Sequence, residues 1–195
     1  MDMKSIEDNK WYPMRSTYGR ELKVKECFDK IGIECYVPMT YKVVDTNGER
    51  HRQLVPAIHN LIFVHSSENV IKQLKQNNPL FNSLRFIMKK SISDKDNKDV
   101  DYLIVPTNQM ENFILATKNH EEEVTYLNGE KAVCKQGQKV KVVDGMFSGV
   151  EGEIIRIHKN KRVVIRIDNI PVVMLNFVPN CYLEIDSDNT TTLLV

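Results

Sequence analysis

Residues 137–152 read GQKVKVVDGMFSGVEG. Val140 and Val142 alternate with lysines, the period of a half-buried strand. Asp144-Gly145 supplies a turn that needs positive φ, and Gly149 and Gly152 let the following strand bend sharply. Gly137 precedes the first strand and Phe147 sits between the turn glycines. Beyond this stretch come Ile154 to Ile157, Val163 to Ile167 and Val172 to Leu175, short β-branched runs with turns between them and no helical period. Residues 137–185 therefore predict a small β-barrel, and the polar residues 186–195 a frayed tail.

Upstream the pattern is different. Lys10 to Thr17 (KWYPMRST) reads as a strand, with Pro13 suggesting an edge or a bulge. From Arg20 to Ile31, the residues Val24, Cys27, Phe28 and Ile31 fall on one helix face, and Gly32 follows as a stop signal. Ile33 to Val44 reads as a strand, closed by a turn at Asn47-Gly48. The apolar run Leu61 to Val64 predicts a buried central strand. Ser66-Ser67-Glu68 opens a helix with Val70, Ile71 and Leu74 inward, and Leu84 to Met88 is a fourth strand. The order βαββαβ predicts a ferredoxin-like α+β domain over residues 9–117. Within it, 89–101 is a polar excursion, Tyr102 to Pro106 rejoins the sheet, and Thr107 caps a helix that faces inward through Met110, Phe113, Ile114 and Thr117. Residues 118–136, with Glu121-Glu122-Glu123 and little apolar pattern, predict an interdomain linker.

Composition narrows the function. Among 195 residues, 27 Lys+Arg meet 26 Asp+Glu, which excludes binding driven by bulk positive charge but allows a local basic face. No apolar run reaches the ~20 residues of a membrane helix. The start MDMKSIEDNKWYPM predicts no secretory signal. Cys27, Cys35, Cys134 and Cys181 are scattered, which predicts reduced thiols in the cytoplasm. Phosphate-loop, dinucleotide and nucleophile-elbow motifs are absent, His59 and His65 lack a third metal ligand, and Cys27 falls on a core-facing stripe. The expectation is a protein without catalytic residues, metal or cofactor.

The segment 137–152 resembles a KOW motif, the SH3-like barrel of ribosomal proteins and NusG-type transcription factors. The N-terminal region resembles the NGN domain that precedes KOW in the NusG family. The residues that carry it are Trp11-Tyr12, Gly19-Arg20-Glu21, GIECYVP at 32–38, PAIHNLIFVH at 56–65 and LIVPTNQME at 103–111. The likeness is strongest to UpxY-type antiterminators of capsular polysaccharide loci and more distant to RfaH. His59-Asn60-Leu61 departs from the Pro-Gly-Tyr usual in housekeeping NusG.

The resemblance implies a non-enzymatic elongation factor that binds RNA polymerase and reduces pausing or termination in one operon. By position, the polymerase surface would involve Trp11, Ile58, Leu61 and Phe63. The residues alone leave this open, since Leu61 and Phe63 on one strand face beside Trp11 fit a plain core equally well. Residues 10–30 carry six basic against three acidic side chains. This is a solvated helix face with ion pairs, or, as the resemblance implies, a patch of Arg15, Tyr18, Arg20 and Lys23 touching the non-template DNA strand or nascent RNA. The KOW barrel would recruit a ribosomal protein or termination factor through the loop bearing Ile167, Ile170 and Pro171. A monomer with no membrane partner is expected. The alternative is a KOW-containing RNA-binding or ribosome-associated protein, which the seven basic and five acidic residues of 137–185 favour little.

Overall fold

The computed structural model describes residues 8–89, 101–127, 137–157, 160–167, 170 and 172–185. The apolar run at 61–64 becomes the strand on which the N-terminal sheet is built. This strand, β5 (Leu61–Ser66), pairs antiparallel with β1 (Lys10–Ser16), from Lys10 opposite Ser66 to Arg15 opposite Leu61. The short β2 (Cys35–Tyr36) lies on the other side of β5, and β6 (Leu84–Phe86) on the other side of β1, giving the order β2-β5-β1-β6.

Paired residues of antiparallel strands project to the same face. Trp11, Pro13 and Arg15 thus share one face with Leu61, Phe63 and His65, while Tyr12, Met14 and Ser16 share the other with Ile62, Val64 and Ser66. Leu61 to Val64 are all buried, as a strand covered on both faces requires. Pro13 is not on an edge strand as its lack of an N–H suggested. Residues Met14–Ser16 pair with β6 and Trp11 bridges to Val105, so Pro13 falls between two short ladders and forfeits no partner.

Helix α1 (Glu21–Lys30) buries Val24 and Phe28, and the Phe28 ring meets Phe81 at 4.6 Å. The expected four-residue stripe is shorter in fact, because Ile31 lies past the last turn and is half exposed. Helix α2 (Glu68–Asn77) starts where the serines placed it: Ser67 Oγ accepts the Val70 N–H at 3.3 Å. Ile71 is its buried residue, with Val70 and Leu74 half-buried. The ends of the 89–101 excursion are tied by Lys89 N–H to Asp101 O at 2.9 Å, and residues 90–100 lie outside the described residues.

The strand expected over Ile33 to Val44 is broken at Pro38. Past it, β3 (Met39–Thr46) and β4 (Glu49–Pro56) make a separate two-stranded sheet. Their turn is the expected Asn47-Gly48, with φ of +57° and +87°, the conformation a two-residue hairpin turn needs. Helix α3 (Thr107–Thr117) buries Met110, Phe113, Ala116 and Thr117, with Ile114 half-buried and Thr107 as its first residue rather than its cap.

The remaining strands form one antiparallel sheet. They are β7 (Val124–Leu127), β8 (Gln138–Val142), β9 (Glu151–Ile157), β10 (Asn160–Ile165), β11 (Val172–Leu175) and β12 (Leu183–Ile185), in the order β12-β8-β9-β10-β11-β7. Leu127, Ile155, Val164 and Val172 pack as a core, with Met174 against it. The linker expected over 118–136 gives way in its described part: Val124–Leu127 pairs with β11 and buries Val124 and Leu127. Asn176 fixes the entry to β7 through its N–H to Glu123 O at 2.8 Å and its side chain to Glu122 O at 2.9 Å. Residues 128–136 and 186–195 lie outside the described residues.

By contacts the chain divides into two compact units. Among the described residues, one comprises those up to Pro38 with Ile58–Met110, the other Met39–Ala57 with those from Glu111 onward.

Candidate functional site

The register of β1 and β5 brings Trp11, Leu61 and Phe63 to one face of the sheet. These three side chains are 3%, 4% and 0% exposed, which makes them core; the apolar surface expected of them is closed over. Trp11 stacks on His65 at 4.8 Å, and His65 Nδ1 lies 2.8 Å from Glu34. Arg15 is exposed on the same face, and Ile58 is half-buried just ahead of β5, where its carbonyl accepts the Leu61 N–H at 3.4 Å.

The corner where β1 turns into α1 is unusual. A single turn, Thr17–Gly19, holds Tyr18 at φ +66° and Gly19 at φ +61°, and across from them Asn60 sits at φ +61°. Left-handed backbone costs a non-glycine residue about 1–2 kcal/mol, so two such residues in one corner need to be held. The holding is done by Asn60. Its carbonyl oxygen accepts the Ser16 N–H at 2.9 Å, its side-chain Oδ1 accepts the Gly19 N–H at 2.9 Å, and its own N–H donates to Glu21 Oε1 at 3.3 Å. Glu21, only 2% exposed, anchors the set, with His59 Nδ1 3.9 Å from the same oxygen. Ser16 Oγ and Glu21 Oε2 are buried and have no hydrogen-bond partner among the described residues.

This frame presents Tyr18 outward, 84% exposed, with the Arg20 guanidinium 5.5 Å from its ring centroid. Arg15, Arg20 and Lys23 are all exposed, and none is in a salt bridge among the described residues, whereas Lys25 is paired with Asp29 at 2.7 Å. The ion-pair account of the basic stretch therefore fits Lys25 but not Arg15, Arg20 or Lys23. Sequence reading named Tyr18, Arg15, Arg20 and Lys23; it used Glu21 and Asn60 as marks of the family resemblance and gave neither a place in the site. The available signal was an asparagine where a turn needs positive φ, which asparagine tolerates better than most residues.

In the second unit the glycine-rich stretch forms the β8–β9 connection. Gly145 and Gly149 have φ of +80° and +90°, Gly149 N–H donates to Val142 O at 2.7 Å, and Phe147 is buried. Gly137 N–H and Arg166 Nε both donate to Glu153 Oε2, at 3.2 and 3.1 Å. Gly152 lies against β10, where an added Cβ would meet Val164 O at 2.7 Å. Ile167 and Ile170 turn inward and are buried, and Pro171 lies outside the described residues. The apolar side chains left outside on this unit include Met146 and Phe177, 60% and 71% exposed, which sequence reading did not single out.

Burial pushes the Cys35 thiol up to about 12, so it stays protonated at neutral pH, and Cys134 lies outside the described residues. No group of three or more His, Cys, Asp or Glu suited to a metal occurs among the described residues. None of their helices is long and apolar enough to cross a membrane.

A family profile described as "Transcription termination factor nusG" matches residues 9–124, more than half of the chain. The chain belongs to the NusG family. NusG-family proteins are non-enzymatic transcription factors that bind RNA polymerase. The matched span of this NusG-family chain holds the whole β2-β5-β1-β6 sheet, the Tyr18 corner and the β3–β4 hairpin. No curated protein matches it. Among solved structures, one similar chain is from "Crystal Structure of MjSpt4:Spt5 complex conformation B", at 14% identity and a TM-score of 0.25 over 90% of this chain and 95% of that one; at that score the likeness carries no weight for the fold.

Proposed function

We propose that this NusG-family chain is a specialised elongation factor of the UpxY type. It binds elongating RNA polymerase through its N-terminal unit and reduces pausing or termination across one operon, for surface polysaccharide synthesis. The family match over residues 9–124 carries the reading. The strand order β2-β5-β1-β6 with its two crossover helices supports a ferredoxin-like NGN domain, and the antiparallel strands β8 to β12 support a KOW barrel. A factor that prefers one state of the polymerase shifts the population toward it, which is all that suppression of pausing requires.

In this reading Trp11, Leu61 and Phe63 form the packed layer beneath the polymerase contact, and Ile58 and Arg15 stand at its surface. Tyr18, Arg15, Arg20 and Lys23 meet the displaced non-template strand, with the aromatic ring for stacking and the cations for phosphates. The KOW barrel recruits a second protein, a ribosomal protein or a termination factor, with the turn of Ile167 and Ile170 shaping the contact.

The nucleic-acid part has a direct test. Each phosphate contact to a single strand contributes about 0.7 to the slope of log affinity against log salt. Replacing Arg15, Arg20 and Lys23 together by alanine should lower that slope by about 2 on an elongation complex with an open bubble. Unchanged affinity and unchanged slope would remove these residues from the interface.

A further inference from the structure

We infer that Asn60 is a positioning residue for single-strand binding: through its side-chain bond to the Gly19 N–H it holds Tyr18 outward as a ready-made stacking platform for an unpaired base. The inference rests on the single-strand reading above and adds to it a residue that touches no nucleic acid itself.

An aromatic side chain 84% exposed on a backbone at φ +66° is not stabilised by its own packing. Something else must fix it, and the structure offers one connection to the neighbouring peptide. Gly19 N–H, the donor directly after Tyr18, goes to Asn60 Oδ1 at 2.9 Å. Asn60 is itself held at φ +61° from two sides, by Ser16 N–H at 2.9 Å on its carbonyl and by the buried Glu21 carboxylate at 3.3 Å on its N–H. Ser16 ends β1 and Glu21 starts α1, so the backbone of Asn60 is tied to both rigid elements flanking Tyr18, and its side chain reaches from there to the peptide between them. A stacking ring fixed before binding loses less conformational freedom when a base arrives, and its affinity is higher for that reason. Arg20 lies over one face of the ring, 5.5 Å from its centroid, so the base would stack on the opposite face.

The test is a double-mutant cycle on the full chain, with an oligothymidylate about twelve nucleotides long as the probe, a length within the range one binding face covers. Asn60→Gly keeps the positive φ and both backbone bonds and removes only the amide. Tyr18→Ala should weaken binding about 5- to 100-fold. Asn60→Gly should weaken it at least threefold with an unchanged salt slope and an unchanged melting temperature, because stacking is lost and phosphate contacts are not. Added to Tyr18→Ala, it should produce no further loss. Every affinity is measured well below the melting temperature of the variant, so that the folded fraction stays near one. Wild-type affinity for Asn60→Gly alongside a weakened Tyr18→Ala overturns the positioning role and leaves the single-strand reading standing; so do losses that multiply in the double variant. Unchanged affinity for Tyr18→Ala overturns both together.

Discussion

Phe63→Ala is expected to destabilise the protein by about 3–5 kcal/mol, the cost of deleting a fully buried phenyl ring. Phe63 is 0% exposed in the strand that carries the N-terminal sheet, directly opposite Pro13 and between Leu61 and His65 on its face. Neither a proline ring nor a strand fixed on both sides, by β1 and β2, can move in to fill the space. Calorimetry should show the transition lowered on the order of 10 °C. Polymerase binding should then fall only as the folded fraction falls. A variant that melts like wild type yet binds polymerase weakly would make Phe63 an exposed anchor and contradict its burial.

Gly152→Ala should cost the β-rich unit about 3 kcal/mol, the upper part of the range for overpacking. Gly152 stands opposite Val140 of β8, and an added Cβ would meet the Val164 carbonyl oxygen at 2.7 Å and Val163 Cγ1 at 2.8 Å. A backbone carbonyl within a ladder cannot give way as a side-chain tip can. The Val164 side of the contact also belongs to the core with Leu127, Ile155 and Val172, so a shift of β10 loosens that core. A sheet of short strands has little stability to spare. Amide exchange in β9 and β10 should rise by two orders of magnitude, the rate equivalent of about 3 kcal/mol. Unchanged exchange in these strands would show that β9 and β10 do not approach as closely as described.

The sequence made much of this legible because local signals and long-range structure agree in most places. Four apolar residues in a row at 61–64 mean two covered faces; Ser67 ahead of an amphipathic run means a helix start; Asn47-Gly48 means a two-residue turn. All three are stated by adjacent residues. The β3–β4 hairpin was half missed because ERHRQLVP of β4 is mostly polar and exposed, and no core face imprints a period on it. β7 was missed for a similar reason: Val124 and Leu127 are only two apolar positions after an acidic run, and their burial depends on β11, nearly fifty residues later.

The site was legible in its exposed members and not in its supports. Tyr18 and the cations declare themselves by type and by local charge. The left-handed backbone at Tyr18 and Asn60, and the burial of Glu21, follow from bonds across about forty residues of sequence, which no local pattern records. Alternation put Leu61 and Phe63 on one face correctly, but periodicity cannot say whether a face is covered, and this one is.

The central claim, that the chain works on RNA polymerase, is most directly tested by capture of this 195-residue chain on purified core RNA polymerase with labelled RNA as competitor. The account predicts saturable binding to the enzyme that excess RNA does not displace. Binding to RNA alone, with none to the polymerase, would contradict it and return the chain to an RNA-binding or ribosome-associated role.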